Sequence, residues 1–145
     1  MKNVKILFLF CAVALLSCTR QITPETIVEP PPPPIDTTVT AVKYIGTFQN
    51  GPYGITSGTT RVVVTNGKLQ LRLKGFKVSS GPDLKVYVSR ELQPLNFLRL
   101  GSLKALSGDQ LYDIPGNPNF MEYSFVLIHC EKFNHLFGSA VLMKQ

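Results

Sequence analysis

The chain has 145 residues, a formal net charge of +6 at pH 7, 44% apolar residues and three cysteines. This length fits one globular domain and excludes an assembly of several large ones. Three cysteines, two of them within the first 18 residues, exclude a disulfide-rich framework, so the fold must depend on core packing.

The first residues have the features of an export signal. Residues 1–5 carry two lysines, and residues 6–16 carry no charge. A membrane-spanning helix needs about 20 apolar residues, so this stretch is too short to span and predicts a signal peptide over 1–17. It ends in Leu-Leu-Ser-Cys, which resembles the bacterial lipoprotein processing site. The resemblance implies cleavage before Cys18 and acylation there, palmitate included; an ordinary signal peptide with a chance cysteine is the alternative.

Residues 18–41 are predicted to be a proline-rich linker that holds the domain away from a membrane. Pro24 and the five prolines at 30–34 favour extended polyproline II, in which five residues at ~3.1 Å each span roughly 15 Å. A Pro-rich recognition site is the alternative. Cys18 is directly followed by Thr19 and Arg20, neither of which is acidic. This favours the outer membrane in a cell that has two membranes.

Only one cysteine is predicted to keep a free thiol. Cleavage of the leader removes Cys11, and acylation occupies Cys18. Cys130 then has no partner within the chain.

From Val42 to the end of the chain the apolar pattern has a period of two, which is typical of β-strands. Residues 62–65, Asn66-Gly67 and residues 68–74 predict a hairpin with a type I′ turn, because both turn residues must tolerate positive φ. Within 68–74 the leucines share one face and the basic residues the other.

Further alternating runs predict strands over 83–89, 108–115, 125–130 and 137–143. Residues 95–106 are predicted to form two short strands or a bend, and 117–123 a loop with one helical turn. About eight short strands in residues 42–145, separated by Gly, Pro and Asn, predict an all-β antiparallel sandwich or barrel-like domain.

Three segments within residues 42–145 occur in a characteristic order and spacing. They are Gly-Pro-Asp-Leu-Lys-Val-Tyr-Val at 81–88, the pair Gly-Ser-Leu-Lys at 101–104 and Gly-Asp-Gln-Leu-Tyr-Asp-Ile-Pro at 108–115, and Val-x-Ile-x-Cys-x-x-Phe-x-x-x-Phe-Gly-x-Ala-x-Leu at 126–142. In this order and spacing they resemble the electron-transfer "DM thirteen" domain family. That family comprises small β domains of exported bacterial proteins and, in animals, domains beside DOMON and cytochrome-b-type modules.

The resemblance implies a β-sandwich-like fold and a redox or prosthetic-group role for the family cysteine, which is matched here by Cys130. The chain differs from the family pattern in two places. His129 stands where many members carry Trp, and no histidine precedes Ser57-Gly58, where many members carry one.

Strand alternation places Val126, Ile128 and Cys130 on one face and His129 on the other. Cys130 is therefore predicted to point into the core, where a thiol is inert. A functional thiol or cofactor ligand and an intermolecular disulfide are the alternatives. His129 and His135 are weaker candidates, because a Cys–His dyad needs both side chains on one face.

A blue-copper site is not predicted, and the cofactor is left unassigned. Such sites use two His, one Cys and a weak Met. Cys130, His135 and Met143 occur in that order, but no His precedes residue 129.

No hydrolase or phosphate-loop motif is present, so the domain is predicted not to be an enzyme. Asp83 is interpreted as a turn or strand-cap residue that bonds nearby amides, with a carboxylate lining a loop-end site as the alternative. Tyr112 is interpreted as core or rim packing, with the same loop-end site as its alternative.

Residues 42–145 include twelve basic and six acidic residues. Lys68, Arg72 and Lys74 form a basic stripe, which is either a solvated face or a contact for anionic lipid headgroups or envelope polysaccharide. Because no aromatic residues interleave the stripe, nucleic acid is excluded as a partner.

The sequence therefore predicts a lipid-anchored domain of the cell envelope, a redox accessory that acts through Cys130 beside an envelope redox or surface partner. The alternative is a binding or structural surface lipoprotein whose cysteine packs in the core.

Overall fold

The structure, a computed structural model, describes residues 39–145, so the predicted leader, Cys18 and most of the linker lie outside the described residues. Residues 39–145 belong to one compact unit. The strands are β1 Val39–Asn50, β2 Thr56–Thr65, β3 Lys68–Val78, β4 Leu84–Ser89, β5 Phe97–Ser102, β6 Ser107–Asp113, β7 Phe125–Cys130, β8 His135–Val141 and β9 Met143–Lys144. Within this part of the chain, no helix has the length and apolarity needed to cross a membrane.

The strands follow the order β5-β4-β7-β8-β1-β2-β3-β6, with β9 beside β1. Every pairing is antiparallel, and β1 serves both halves, since its first part pairs with β2 and Phe48–Asn50 pair with β8. In this order β5 and β6 are the two end strands. The connection from β5 to β6 contains Lys104, whose amide N–H donates to Tyr112 Oη at 3.0 Å and to Gln110 Oε1 at 3.3 Å, both on β6. The result is a nearly closed barrel, which confirms the predicted all-β antiparallel fold.

The β2–β3 hairpin forms at the predicted turn. Asn66 has φ 48° and Gly67 has φ 75°. Both lie in the left-handed region that a type I′ turn requires. The turn places Thr65 opposite Lys68, which starts a register that continues to the Thr59–Lys74 pair.

Alternation along β3 builds one wall of the core. Leu71 and Leu73 are fully buried, while Lys74 is exposed. The register then shifts between Leu73 and Phe76, across Gly75 with φ +55°. This bulge keeps Phe76 inside, where its ring meets the Phe48 ring edge-on at a centroid distance of 5.2 Å.

Two local expectations are changed by the structure. Residues 95–106 contain one strand, β5, in place of two short strands or a bend. The last predicted strand, 137–143, is divided into β8 and β9. The single helical turn predicted within 117–123 is present, since the Asn119 carbonyl accepts from the amides of Glu122 and Tyr123. β4 is buried on both faces.

The antiparallel order puts four connections at one end of the barrel, which we call the loop end. They are residues 51–55, 79–83, 103–106 and 131–134. The described chain enters at the opposite end, where Val39 pairs with Thr65. Cys130 is the last residue of β7 and therefore lies at the loop end.

Candidate functional site

Cys130 points into the core at the loop end of β7. Its exposure is 0%, its thiol is free, and it belongs to one core cluster with Val126 and Ile128. The predicted inward orientation is confirmed. An apolar site of this kind gives a thiol no cation to stabilise its charged form, so the static structure favours an unreactive thiol.

A short succession of side chains leads from Cys130 towards the surface. Cys130 and His135 are direct partners in the β7–β8 register, so their side chains leave the same face of the sheet. His135 is half-buried, and its ring stacks on the Tyr53 ring at 3.6 Å with an interplanar angle of 4°. Tyr53 is 58% exposed. The half-buried His135 therefore lies between the strand position of Cys130 and the solvent-exposed ring of Tyr53.

His129 lies on the opposite face of β7, as predicted, but it is also buried. It is 3% exposed, and its Nε2 lies 3.0 Å from Asn134 Oδ1. An amide oxygen accepts, so this geometry assigns the proton to Nε2. Nδ1 is then a buried acceptor without a hydrogen-bond partner among the described residues.

Burial lowers the pKa of His129 below its usual range; the Glu131 carboxylate opposes this shift and His135 adds to it. A lowered folded-state pKa means that the unfolded chain binds the proton more tightly. Neutral His129 therefore contributes stability that is present above about pH 6.5 and is lost as pH falls through the folded-state pKa.

We expect acid to destabilise the domain less when His129 is replaced. In urea unfolding at roughly pH 7.5 and roughly pH 5, the His129→Gln variant should lose less free energy of unfolding than the parent chain, because the group that must be protonated is gone. An equal acid-induced loss in both proteins would contradict a neutral, buried His129.

Polar contacts surround His129 on the outer face of β4 and β7. The Tyr87 hydroxyl donates to Glu131 Oε1 at 2.5 Å, and Glu131 Oε2 accepts from Arg99 at 2.9 Å. The Tyr87 ring lies between Phe97, at 4.4 Å, and His129, at 5.7 Å. Burial, followed by the hydrogen bond to Glu131, raises the pKa of Tyr87. Tyr87 therefore stays protonated and holds the Glu131 carboxylate in place.

Asp83 lies at the loop end, but its carboxylate contact differs from the one predicted. Its Oδ1 is 2.5 Å from Lys85 Nζ, which also donates to Ser102 Oγ at 3.0 Å. Among the described residues an amide contacts Asp83 only at its main-chain carbonyl, which accepts from Glu131 N–H. The carboxylate thus compensates the charge of Lys85, which is 8% exposed.

Two hollows open at the loop end. One, of about 310 Å³, is lined by residues 81–84 and 102–106 and includes Asp83. The other, of about 430 Å³, is lined by Ile55, Ser57 and residues 77–79. Asp83 therefore lines a hollow at the loop end, which is the location that the alternative interpretation of its carboxylate requires.

Tyr112 is a core residue with a satisfied hydroxyl. It is 4% exposed, its Oη donates to Gln110 Oε1 at 2.6 Å, and Lys104 Nζ lies 4.8 Å from its ring centroid. Burial raises the pKa of Tyr112, and the backbone hydrogen bond from Lys104 partly opposes the shift. This placement favours the packing interpretation of Tyr112.

The structure does not bring the blue-copper series together. His135 starts β8 at the loop end, whereas Met143 pairs with Ile45 beyond the far end of that strand. Over residues 39–145 no group of three or more His, Cys, Asp or Glu side chains is placed to hold a metal ion.

Sequence reasoning missed three participants. Tyr53 and Arg99 reach the site through the β1–β2 loop and through β5, which lie far from Cys130 in the chain, whereas Glu131 directly follows Cys130. No motif in the sequence singles out these residues, and only the fold brings Tyr53 and Arg99 near β7.

A comparison with models of known protein families matches residues 47–142 to the family described as Electron transfer DM13. No curated protein and no solved structure matches the chain. The matched range runs from the second half of β1 to Leu142 and includes Asp83, Tyr112, His129, Cys130 and His135.

Proposed function

The chain belongs to the Electron transfer DM13 family, and from that membership we propose that it is a redox accessory domain of the cell envelope that acts through Cys130. The domain itself is not an enzyme in this proposal. It exchanges electrons with an envelope partner at the loop end of the barrel.

The succession Cys130, His135, Tyr53 carries this proposal. The thiol is buried, yet the rings beside its register partner His135 are the exposed side chains Tyr53, stacked at 3.6 Å, and Phe133, at 5.9 Å. Cys130 also directly precedes residues 131–134, a turn whose four residues are all exposed. Opening of this turn, without unfolding of the barrel, would bring the sulfur to the surface.

A lone thiol exchanges two electrons only by bonding to an atom of another molecule. The partner proposed here carries a disulfide. The deprotonated Cys130 sulfur attacks one partner sulfur, a mixed disulfide forms, and the other partner sulfur leaves as a thiolate; the Cys130 proton passes to solvent. A thiolate of a second partner, which carries a dithiol, attacks the Cys130 sulfur and releases the first partner with both of its sulfurs reduced. The other thiolate of the second partner then closes a disulfide and releases Cys130, so two electrons have passed from the second partner to the first.

We propose further that the domain is held at a membrane by lipid on Cys18, with residues 18–41 as a spacer and the outer membrane as its location in a two-membrane cell. The short apolar leader and the Leu-Leu-Ser-Cys sequence support this anchor. The described chain begins at the barrel end opposite Cys130, which supports a partner that approaches the loop end.

A second candidate rests on the zero exposure of Cys130. In that case the cysteine is core packing, and the protein is a binding or structural surface lipoprotein. The two candidates differ in whether the native thiol can react.

Thiol reactivity of the full chain, purified in detergent from the host that makes it, separates the candidates. The redox proposal expects Cys130 to react with an aromatic disulfide reagent far faster than the barrel unfolds, with the Cys130→Ala variant as the blank. Tyr53→Ala should speed the reaction roughly 2- to 10-fold, the equivalent of one lost aromatic stack. Leu95→Ala, an exposed side chain at the other end of the barrel, should leave the rate unchanged.

Two further measurements use the same sample. A visible spectrum and metal analysis report any bound chromophore or metal ion. A colourless, metal-free protein whose Cys130 reacts only at the rate of global unfolding overturns the redox proposal and supports the structural one.

A further inference from the structure

Five cations lie on the outer side of β2 and β3. We call this surface the basic face; it comprises Arg61, Lys68, Arg72, Lys74 and Lys77. The stripe predicted from sequence contained three of them. The structure adds Arg61 from the neighbouring strand and Lys77, which stays on the outer side because the bulge at Gly75 restores the alternation.

Two of these cations face each other directly. Arg61 and Arg72 are register partners across β2 and β3. Like charges in such a position repel and destabilise the sheet. Arg61 Nε and one terminal nitrogen of Arg72 are also buried without a hydrogen-bond partner among the described residues. The arginine pair therefore has donors and charge in excess of what the described barrel neutralises.

The neighbouring strand β6 supplies only part of the counter-charge. Its Asp113 accepts from the Gln70 side-chain amide and its Asp109 accepts from Gly75 N–H, and neither forms an ion pair with the basic face. The ion pairs in the described part of the chain are Asp83–Lys85, Arg90–Glu122 and Arg99–Glu131, all outside the basic face. Five cations beside two carboxylates leave an excess of positive charge that anions of another molecule or of the solvent can neutralise.

The form of the basic face selects among anionic partners. Both strands are paired on both sides, since β2 lies between β1 and β3 and β3 lies between β2 and β6, so an added peptide strand finds no free edge. Of the five cations, Lys77 at the loop end of the row lines one of the two hollows, and the other four line neither. From Lys68 to Lys77 the row spans nine residue steps, which is roughly 30 Å of strand.

An extended row of cations without a shape-selective pocket fits a surface that presents many equivalent negative charges. From this we infer that the basic face docks on the anionic headgroups of a lipid bilayer, with Arg61 and Arg72 sharing phosphate oxygens. This inference rests on the placement of charge alone. It holds whether Cys130 is a redox group or core packing, and whether or not Cys18 is acylated.

Vesicle binding tests the inference on the unlipidated segment Ile35–Gln145, a compact unit whose core comes from its own strands. The segment should co-sediment with vesicles of phosphatidylcholine mixed with an equal amount of phosphatidylglycerol. It should not co-sediment with phosphatidylcholine alone. Raising the salt concentration should release it, because screening weakens exposed charge attraction.

Two double variants that lose the same net charge test whether the position of the cations on the basic face matters for vesicle binding. Lys68→Gln with Lys74→Gln should weaken vesicle binding about 25-fold, at about fivefold for each exposed cation. Lys132→Gln with Lys144→Gln removes the same charge at other sites and should change binding by less than about threefold. Circular dichroism of all variants confirms that the barrel is intact.

Three outcomes overturn the inference. One is equal binding to both vesicle types, and another is an equal loss in the two double variants. The third is tight binding to soluble dextran sulfate without vesicle binding, which would assign the basic face to polysaccharide.

Discussion

Replacing Phe76 with alanine should lower the free energy of unfolding by about 3–5 kcal/mol. The ring is 1% exposed and packs edge-on against Phe48 in the centre of the core. Removing it loses the transfer free energy of the ring and leaves a cavity that the rigid barrel cannot close. Urea unfolding followed by tyrosine fluorescence or circular dichroism measures the loss.

Phe133 provides the matched control, because it is the same residue type and 54% exposed. Phe133→Ala should change the free energy of unfolding by less than about 0.5 kcal/mol. Similar values for the two variants would show that the core is not centred on Phe76.

Replacing Gly138 with alanine should destabilise the domain by about 3 kcal/mol, the sum of overpacking and one disturbed hydrogen bond. A Cβ at this position would collide with Thr56, whose Cβ would lie 2.5 Å away and whose Oγ1 would be closer still. That Oγ1 donates to the Phe137 carbonyl at 2.8 Å. The new methyl group must push β8 away from β2 or break this hydrogen bond.

Gly67→Ala is the comparison, because it tests backbone strain without crowding. No atom lies within 4 Å of a Cβ added there, but φ is +75°. The expected loss is about 1–2 kcal/mol. Thermal unfolding of both variants should show the larger decrease in melting temperature for Gly138→Ala, and Thr56→Gly added to it should recover part of the loss. A neutral Gly138→Ala would contradict the close approach of β8 and β2.

The parts of the fold that were predictable are those in which neighbours in sequence are neighbours in space. The Asn66-Gly67 turn is local, and its positive φ angles follow from the residue types. The inward orientation of Cys130 follows from alternation within one strand. The basic row of β3 is visible for the same reason.

The parts that were not predictable depend on distant segments. His129 was expected on an outer face, and it lies on one, but Tyr87 and Glu131 pack around it. Alternation assigns a residue to a face without revealing what covers that face. The stack of Tyr53 on His135 likewise depends on where the β1–β2 loop meets β8.

The open seam between β5 and β6 has a consequence for the behaviour of many copies of this chain. A sheet edge is a template on which another chain can pair and aggregate. Here Lys104, in the connection between β5 and β6, donates its side-chain amine to the Leu111 carbonyl, so one main-chain acceptor of the β6 edge is engaged within the molecule. The other main-chain groups along the open sides of β5 and β6 have no strand beside them in the described part of the chain. Strand addition between crowded copies is therefore expected at this seam before any other part of the barrel.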